Sequence, residues 1–381
     1  MSTNAVRTVP FGVFLPVGDG GFIMSTTRPE TPGTYDYNRR VTCLAEELAL
    51  DFVVSMARWR GWGGATGHWD RTIESLTTSA GLAEATEHIR LYTTIHTNAF
   101  HPAVAAKMVA TIDEISNGRV GVNLVAGSNP LDHGQMGICP DVSHAELYEI
   151  ATEWVTVVKR LWAEDRVNFE GRYYRLVDCM SNPKPLQGPG LPILCAATSD
   201  TGVRFTMDNA TATLMNAGNL DELVESGQRA KRLAREAGGT TQTVGLLMVV
   251  PGETDAAAQA RVDLYNEGAD VEALFNRAWE FSQSAKEWGK DEALARESRR
   301  MFAADQKTPL AITRNAAVGS VDTIAREIAR VVIEGDFDQI AMYFPDYIED
   351  LRIFGEQILP ELHNYGVQPA GGRSAPLMAA S

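Results

Sequence analysis

Gly118-Arg119-Val120-Gly121-Val122-Asn123-Leu124-Val125-Ala126-Gly127 decides how this chain folds. Val120 to Val125 reads as a short buried strand that ends in a polar loop. One carboxamide, Asn123, interrupts the apolar run near its C-terminal end. A buried amide needs several hydrogen-bond partners, because an unpaired one costs a few kcal/mol. In a parallel β/α sheet, that end of a strand is where ligands bind. Asn123 is therefore either a ligand-facing amide or a structural one satisfied by neighbouring backbone. The stretch alone leaves both readings open.

Working outward, short apolar runs alternate with helical patterns. Gly12 to Leu15, Phe52 to Ser55 and Ile89 to Thr94 read as strands one to three, and Val120 to Val125 as the fourth. Pro192 to Ala196, Thr211 to Met215, Val244 to Val250 and Gln339 to Tyr343 complete eight. Helices are expected over Arg39–Leu50, Glu74–Thr86, Pro102–Ile115 and His144–Trp162, with Pro102 in a first turn. More follow from Ser199, over Asp221–Ala237, from Ser320 as an N-cap, and over Asp346–Leu362. Val167 to Leu176 looks like a hairpin excursion. Eight strand–helix units predict an α/β fold, a (β/α)8 TIM barrel spanning 10–363 as one domain, with a helix-rich insertion at about 253–318. A doubly wound sheet is the rival, but no GxGxxG follows the first strand. The tail 364–381, rich in Pro, Gly, Ala and Ser from Gln368 on, is expected to be disordered.

The 381 residues are 44% hydrophobic and 22% charged, an ordinary balance for a globular enzyme. A net charge of -15 and no Lys/Arg cluster argue against nucleic-acid binding. Cys43, Cys139, Cys179 and Cys195 show neither CxxC nor Cys/His spacing, so no metal and no disulfide framework are expected. No apolar run approaches a membrane span, and no signal region opens the chain, so a cytoplasmic protein is expected.

Function on a barrel sits in the loops after the strands. Those after strands one, two and four are long and rich in Gly, Pro and aromatics. Ser55-Met56-Ala57-Arg58-Trp59-Arg60-Gly61-Trp62-Gly63-Gly64 offers two arginines to grip an anion and two tryptophans to stack a flat ring, or else a tight loop with aromatic packing. Thr94 can present a hydroxyl to the pocket, whereas His96 reads more readily as a structural histidine than as a base. Ala197, Thr198 and Ser199 stand at a helix start, where free N–H groups and the dipole favour a phosphate. No paired carboxylates and no nucleophile–base set are evident, so a cofactor must carry the hard chemistry.

The chain resembles the bacterial-luciferase-like, flavin-dependent monooxygenases. Within them it is similar to the branch of the pyrimidine ring-opening and dimethylsulfone monooxygenases. The matching stretches include Gly12-Val13-Phe14-Leu15-Pro16, Arg60-Gly61-Trp62-Gly63-Gly64, Ala110-Thr111-Ile112-Asp113-Glu114-Ile115-Ser116, Gly118-Arg119 through Val125, Gln135-Met136-Gly137-Ile138 and Ser199-Asp200-Thr201-Gly202. The resemblance implies reduced FMN and O2, a separate flavin reductase, a small-molecule substrate such as a pyrimidine or a flavin ring, and compatibility with a homo-oligomer. It implies that Ala57 and Arg58 lie along the flavin, that Thr94 and Asn123 flank its reactive edge as the catalytic pair, and that Tyr148 and Ser199 touch its phosphate. One departure stands out. After Gly127 the pyrimidine enzymes carry a Trp-Gln/Lys-Pro-Glu type of loop, and this chain has Ser128-Asn129-Pro130-Leu131-Asp132-His133. Trp62, Trp69, Ser128 and Asp132 are accordingly the expected substrate contacts, with Asp132 in the family's Glu position near the cofactor. A sulfone or sulfonate substrate would instead want Arg58 or Arg60 free, and a non-catalytic flavin-binding barrel is a third reading.

Overall fold

The computed structural model of the protein describes residues 6–127, 130–287 and 310–372. Eight parallel strands close into a barrel: β1 (Phe11–Phe14), β2 (Phe52–Val54), β3 (Arg90–His96), β4 (Val120–Val125), β5 (Ile193–Ala196), β6 (Ala212–Met215), β7 (Gln242–Pro251) and β8 (Gln339–Tyr343). Each pairs with the next in the chain, and β8 returns to β1. Most strand residues are buried, since helices cover the outside and side chains fill the inside.

The ring of helices comprises α1 (Tyr35–Glu47), α2 (Ser75–Glu84), α3 (Pro102–Ile115), α4 (His144–Ala163), α5 (Asp200–Asn209), α6 (Leu220–Glu236), α7 (Val321–Glu334) and a closing segment over 349–361. Their starts are written in polar side chains. The Glu74 carboxylate accepts from Leu76 and Thr77 N–H at the head of α2 (2.8 and 2.7 Å), Ser143 caps α4 by accepting from Glu146 N–H, and Asn219 caps α6 through Glu222 N–H. α1 begins four residues before the expected Arg39. Thr34 caps it, and the polar-looking Asn38 is buried with its amide on the Pro16 carbonyl, which disguised that first turn as loop.

Three further short strands escaped the sequence reading. Ala316–Gly319 pairs in parallel with β7, so the excursion expected to run as helix to 318 ends in a strand. Arg7–Val9 pairs in parallel with Val367–Pro369, which places Gln368 and Pro369 in a strand where the tail's composition suggested disorder. Each is three or four residues long, too short for a periodic signal.

Insertion helices Asp255–Glu267 and Val271–Glu287 follow β7 and lean over the C-terminal rim. Thr26 N–H donates to Gly268 O, Asp270 N–H to Met24 O, and Thr66 donates to the Asp270 carboxylate from both its N–H and its hydroxyl (2.7 Å each). The loops after β1 and β2 and the insertion are thereby one layer.

Within the opening stretch, Gly121 is the register partner of Tyr92, a fully buried ring on β3. A Cβ on Gly121 would lie 2.4 Å from Tyr92 Cε1, so only glycine lets that ring lie across the neighbouring strand. Gly121→Ala is expected to cost about 1–3 kcal/mol of stability by overpacking. Urea unfolding measures it, and an unchanged midpoint would mean that Tyr92 steps aside freely.

Candidate functional site

Thr94 and Asn123 are register partners near the ends of β3 and β4, and both are buried. The Thr94 hydroxyl donates to the Ser55 carbonyl just past β2, and Asn123 Nδ2 donates to Thr94 Oγ1 at 2.9 Å. Ser75 Oγ meets Ser55 Oγ (2.5 Å) and accepts from Thr94 N–H (2.8 Å), which fixes the hydroxyl chain. Asn123 Oδ1 is buried and has no partner. A buried carbonyl left unmatched is a cost that a ligand N–H would relieve.

The loop after β2 spends Arg58 and its tryptophans on itself and on the insertion. Arg58 lies 4.3 Å above the Trp62 ring and donates through Nη2 to Glu280 Oε2 at 2.7 Å. Trp62 Nε1 donates to the same oxygen. Trp62 stacks on Trp69 (4.5 Å between centroids), and His68 stacks on both. Trp62 and Trp69 are thus mostly packed, and Arg58 is not free to grip an anion. Arg60 is exposed. Neither Glu280 nor His68 stood out in the sequence. Glu280 sits in an ordinary amphipathic helix far along the chain, and no local pattern marks it.

His96 Nε2 lies 3.3 Å from the Ala57 carbonyl, and its ring packs against Trp59 and His133. Asp132 Oδ1 accepts from Trp59 N–H at 3.0 Å, tying the short helix Pro130–Gly134 to the same loop. Burial raises the Asp132 carboxyl and Arg58 opposes the rise. Ser128 lies outside the described residues.

A second cluster follows β5. Ser199 caps α5 by accepting from Gly202 N–H at 3.2 Å. A Cβ on Gly202 would meet Ala197 Cβ and Tyr148 Oη at 2.6 Å each and Ser199 Oγ at 3.3 Å. The structure therefore brings Ala197, Tyr148 and Ser199 together around the N-terminus of α5, and the Thr198 carbonyl beside them accepts from Arg229. Two hydroxyls at a helix N-terminus fit an anionic phosphate, and the unmatched Asn123 carbonyl fits a ring N–H. The donor set suits a flavin mononucleotide. Among the described residues no group of His, Cys, Asp and Glu could hold a metal ion, and no helix is long and apolar enough to cross a membrane.

Burial, chiefly, pushes His68 and His96 down to about 3 and His133 to about 4. All three are neutral near pH 7. The unfolded chain, with histidines near 6.5, binds more protons between those values, so stability is full above about pH 6.5 and falls as pH drops toward 4. His96→Gln is expected to flatten that fall. Urea midpoints from pH 7 to 4.5 measure it, and an unchanged slope would count against a buried neutral His96.

The sequence profile described as luciferase-like monooxygenase matches residues 9–338. Pyrimidine monooxygenase RutA of Klebsiella pneumoniae is 37% identical over 355 residues, covering 92% of this chain and 95% of that protein. Among solved structures, riboflavin lyase RcaE with modified FMN and riboflavin superposes with a TM-score of 0.79 at 20% identity, covering 97% of this chain and 94% of its own. The long-chain alkane monooxygenase LadA gives 0.80 at 18% identity, covering 97% of this chain and 94% of that one. The fold is shared with both, and the sequence match fixes the lineage: the chain belongs to the luciferase-like monooxygenase family and is a flavin-dependent monooxygenase.

Proposed function

We propose that the protein uses reduced FMN, delivered by a separate reductase, and O2 to oxidise and open a planar N-heterocycle, a pyrimidine or a flavin-like ring. The observation that carries a heterocycle over a sulfone or sulfonate is the state of Arg58. Its charge is met by Glu280 at 2.7 Å in a buried setting, which leaves it unsuited to an anionic substrate. The relative at 37% identity, named for pyrimidine oxidation, supports the same choice.

Bound along β2 to β5, the reduced flavin would supply the two electrons that activate O2, with one oxygen atom entering the substrate and the other leaving as water. The protein's part is positioning. Ser199, Tyr148, Thr198 and Ala197 would seat the phosphate, and Ala57 and Arg58 would run along the ring. Asn123 Oδ1 would accept an N–H at the ring's reactive edge while its amino group stays anchored on Thr94. Burial of both residues excludes water and strengthens these contacts. Substrate choice belongs to segment 128–133 and the loop after β2, where the chain departs from the pyrimidine enzymes.

Oxygen consumption with reduced FMN and a panel of uracil, riboflavin, dimethyl sulfone and methanesulfonate tests the reading. A ring-opened product from uracil or riboflavin is expected. Sulfite release, or hydrogen peroxide alone throughout, would overturn it. Asn123→Asp gives a sharper test. The new carboxylate cannot donate to Thr94, whose own proton is on Ser55, and it sets a negative charge where charge develops. Product formation should drop about 10²–10³-fold while FMN still binds. Single-turnover mixing with O2 and substrate at the wild-type rate would reduce Asn123 to a structural amide.

A further inference from the structure

We propose that Glu280, on the insertion helix Val271–Glu287, reads a ring N–H of the substrate through its Oε1. The inference rests on the heterocycle reading above and names one residue that recognises such a ring.

The Glu280 side chain is 1% exposed. Its Oε2 receives both Arg58 Nη2 and Trp62 Nε1, while its Oε1 is buried with no partner. A buried pair with a purely structural task saturates both oxygens, as Asp350 illustrates in the same protein. Arg261 donates to each of its oxygens at 2.9 Å, and Asp346 N–H adds a third bond. Glu280 keeps a strong acceptor in reserve, and an idle carboxylate oxygen out of water is costly unless something arrives to use it.

His68 supplies the complementary observation. It is fully buried and stacks beside Trp62 at 5.9 Å with a 6° interplanar angle. Its Nδ1 lies 3.3 Å from Arg28 Nη1, which can only donate, so the proton of the neutral ring is on Nε2. Nε2 has no partner either. Beside the Trp62 ring, over which the Arg277 guanidinium also lies at 5.5 Å, the structure thus leaves an unmatched Glu280 acceptor and an unmatched His68 donor. A cyclic amide or imide edge presents an N–H beside a C=O and answers both. A sulfone, sulfonate or alkane has no N–H to offer.

The test compares the flavin-loaded wild type with Glu280→Gln on uracil, 1-methyluracil and 3-methyluracil. Gln can still accept from Trp62 through its amide oxygen, but it turns a donor toward the ring. Wild-type kcat/KM is expected to fall about 10–100-fold for one methyl isomer, the scale of a hydrogen bond to a charged group. Glu280→Gln should lose a similar factor on uracil, mainly in KM, and little more on that isomer, because the two changes remove one contact. FMN affinity should not move. Strictly additive losses, or a variant that discriminates the isomers as the wild type does, would overturn the role of Glu280 while leaving ring opening intact. Should the variant fail to fold, wild-type binding titrations decide alone, and equal affinities for uracil and both isomers would overturn it. A wild type that opens no N-heterocycle at all brings down the functional reading and this inference with it.

Discussion

The hydrogen bond from Asn123 to Thr94 sets the polarity of the site. Thr94 gives its one proton to the Ser55 carbonyl, so its oxygen can only accept. Asn123 must then turn its amino group toward Thr94, and its carbonyl is the group left over. The sequence left open whether this amide faces a ligand or is satisfied by neighbouring backbone. Three adjacent strand ends, locked in register, choose which end of it stays unmatched. The choice depends on barrel closure, because only parallel strands in order bring the ends of β2, β3 and β4 to one rim.

Above that rim, buried charge does the locating. Burying Arg58 and Glu280 costs desolvation that their attraction roughly offsets, so the pair is a weak source of stability. It is a strong source of position. Glu280 comes from more than 200 residues away in the chain, and one of its oxygens holds both a guanidinium and an indole N–H. Asn276 adds a bond to the Trp62 carbonyl at 2.8 Å. The insertion that follows β7 thereby fixes the loop that follows β2.

Much of this architecture was legible in the sequence for local reasons. Pro102 at a first turn, Ser199 at a cap and the apolar run from Val120 mark their elements within a few residues. Thr94, Asn123, Ser199 and Tyr148 were named because they stand at strand ends, at a helix start, or at positions matching a family motif. What stayed hidden is what long-range packing decides. The terminal ribbon joins Arg7 to Val367 with three-residue strands that no periodicity detects. Arg58 and the loop tryptophans looked available to a ligand, and three-dimensional packing turned them on one another. Glu280 and His68 acquire meaning only from the atoms that fail to find partners.

The departure of Ser128 to His133 from the pyrimidine enzymes now has a physical reading. In this chain Asp132 spends an oxygen on Trp59 N–H, and His133 packs against Trp59 and His96 while its Nδ1 meets Asn98. Those side chains hold the loop after β2 in place. Asp132 and His133 thus bear on substrate choice through the Trp59 loop that they position. The unmatched Glu280 and His68 atoms beside the same loop are further polar groups already stripped of water. The proposed flavin end of the site and its proposed substrate end thus rest on different constraints. Strand register fixes the first. The contact between the insertion helix and the Trp62 loop fixes the second, and that contact is free to change without disturbing the barrel.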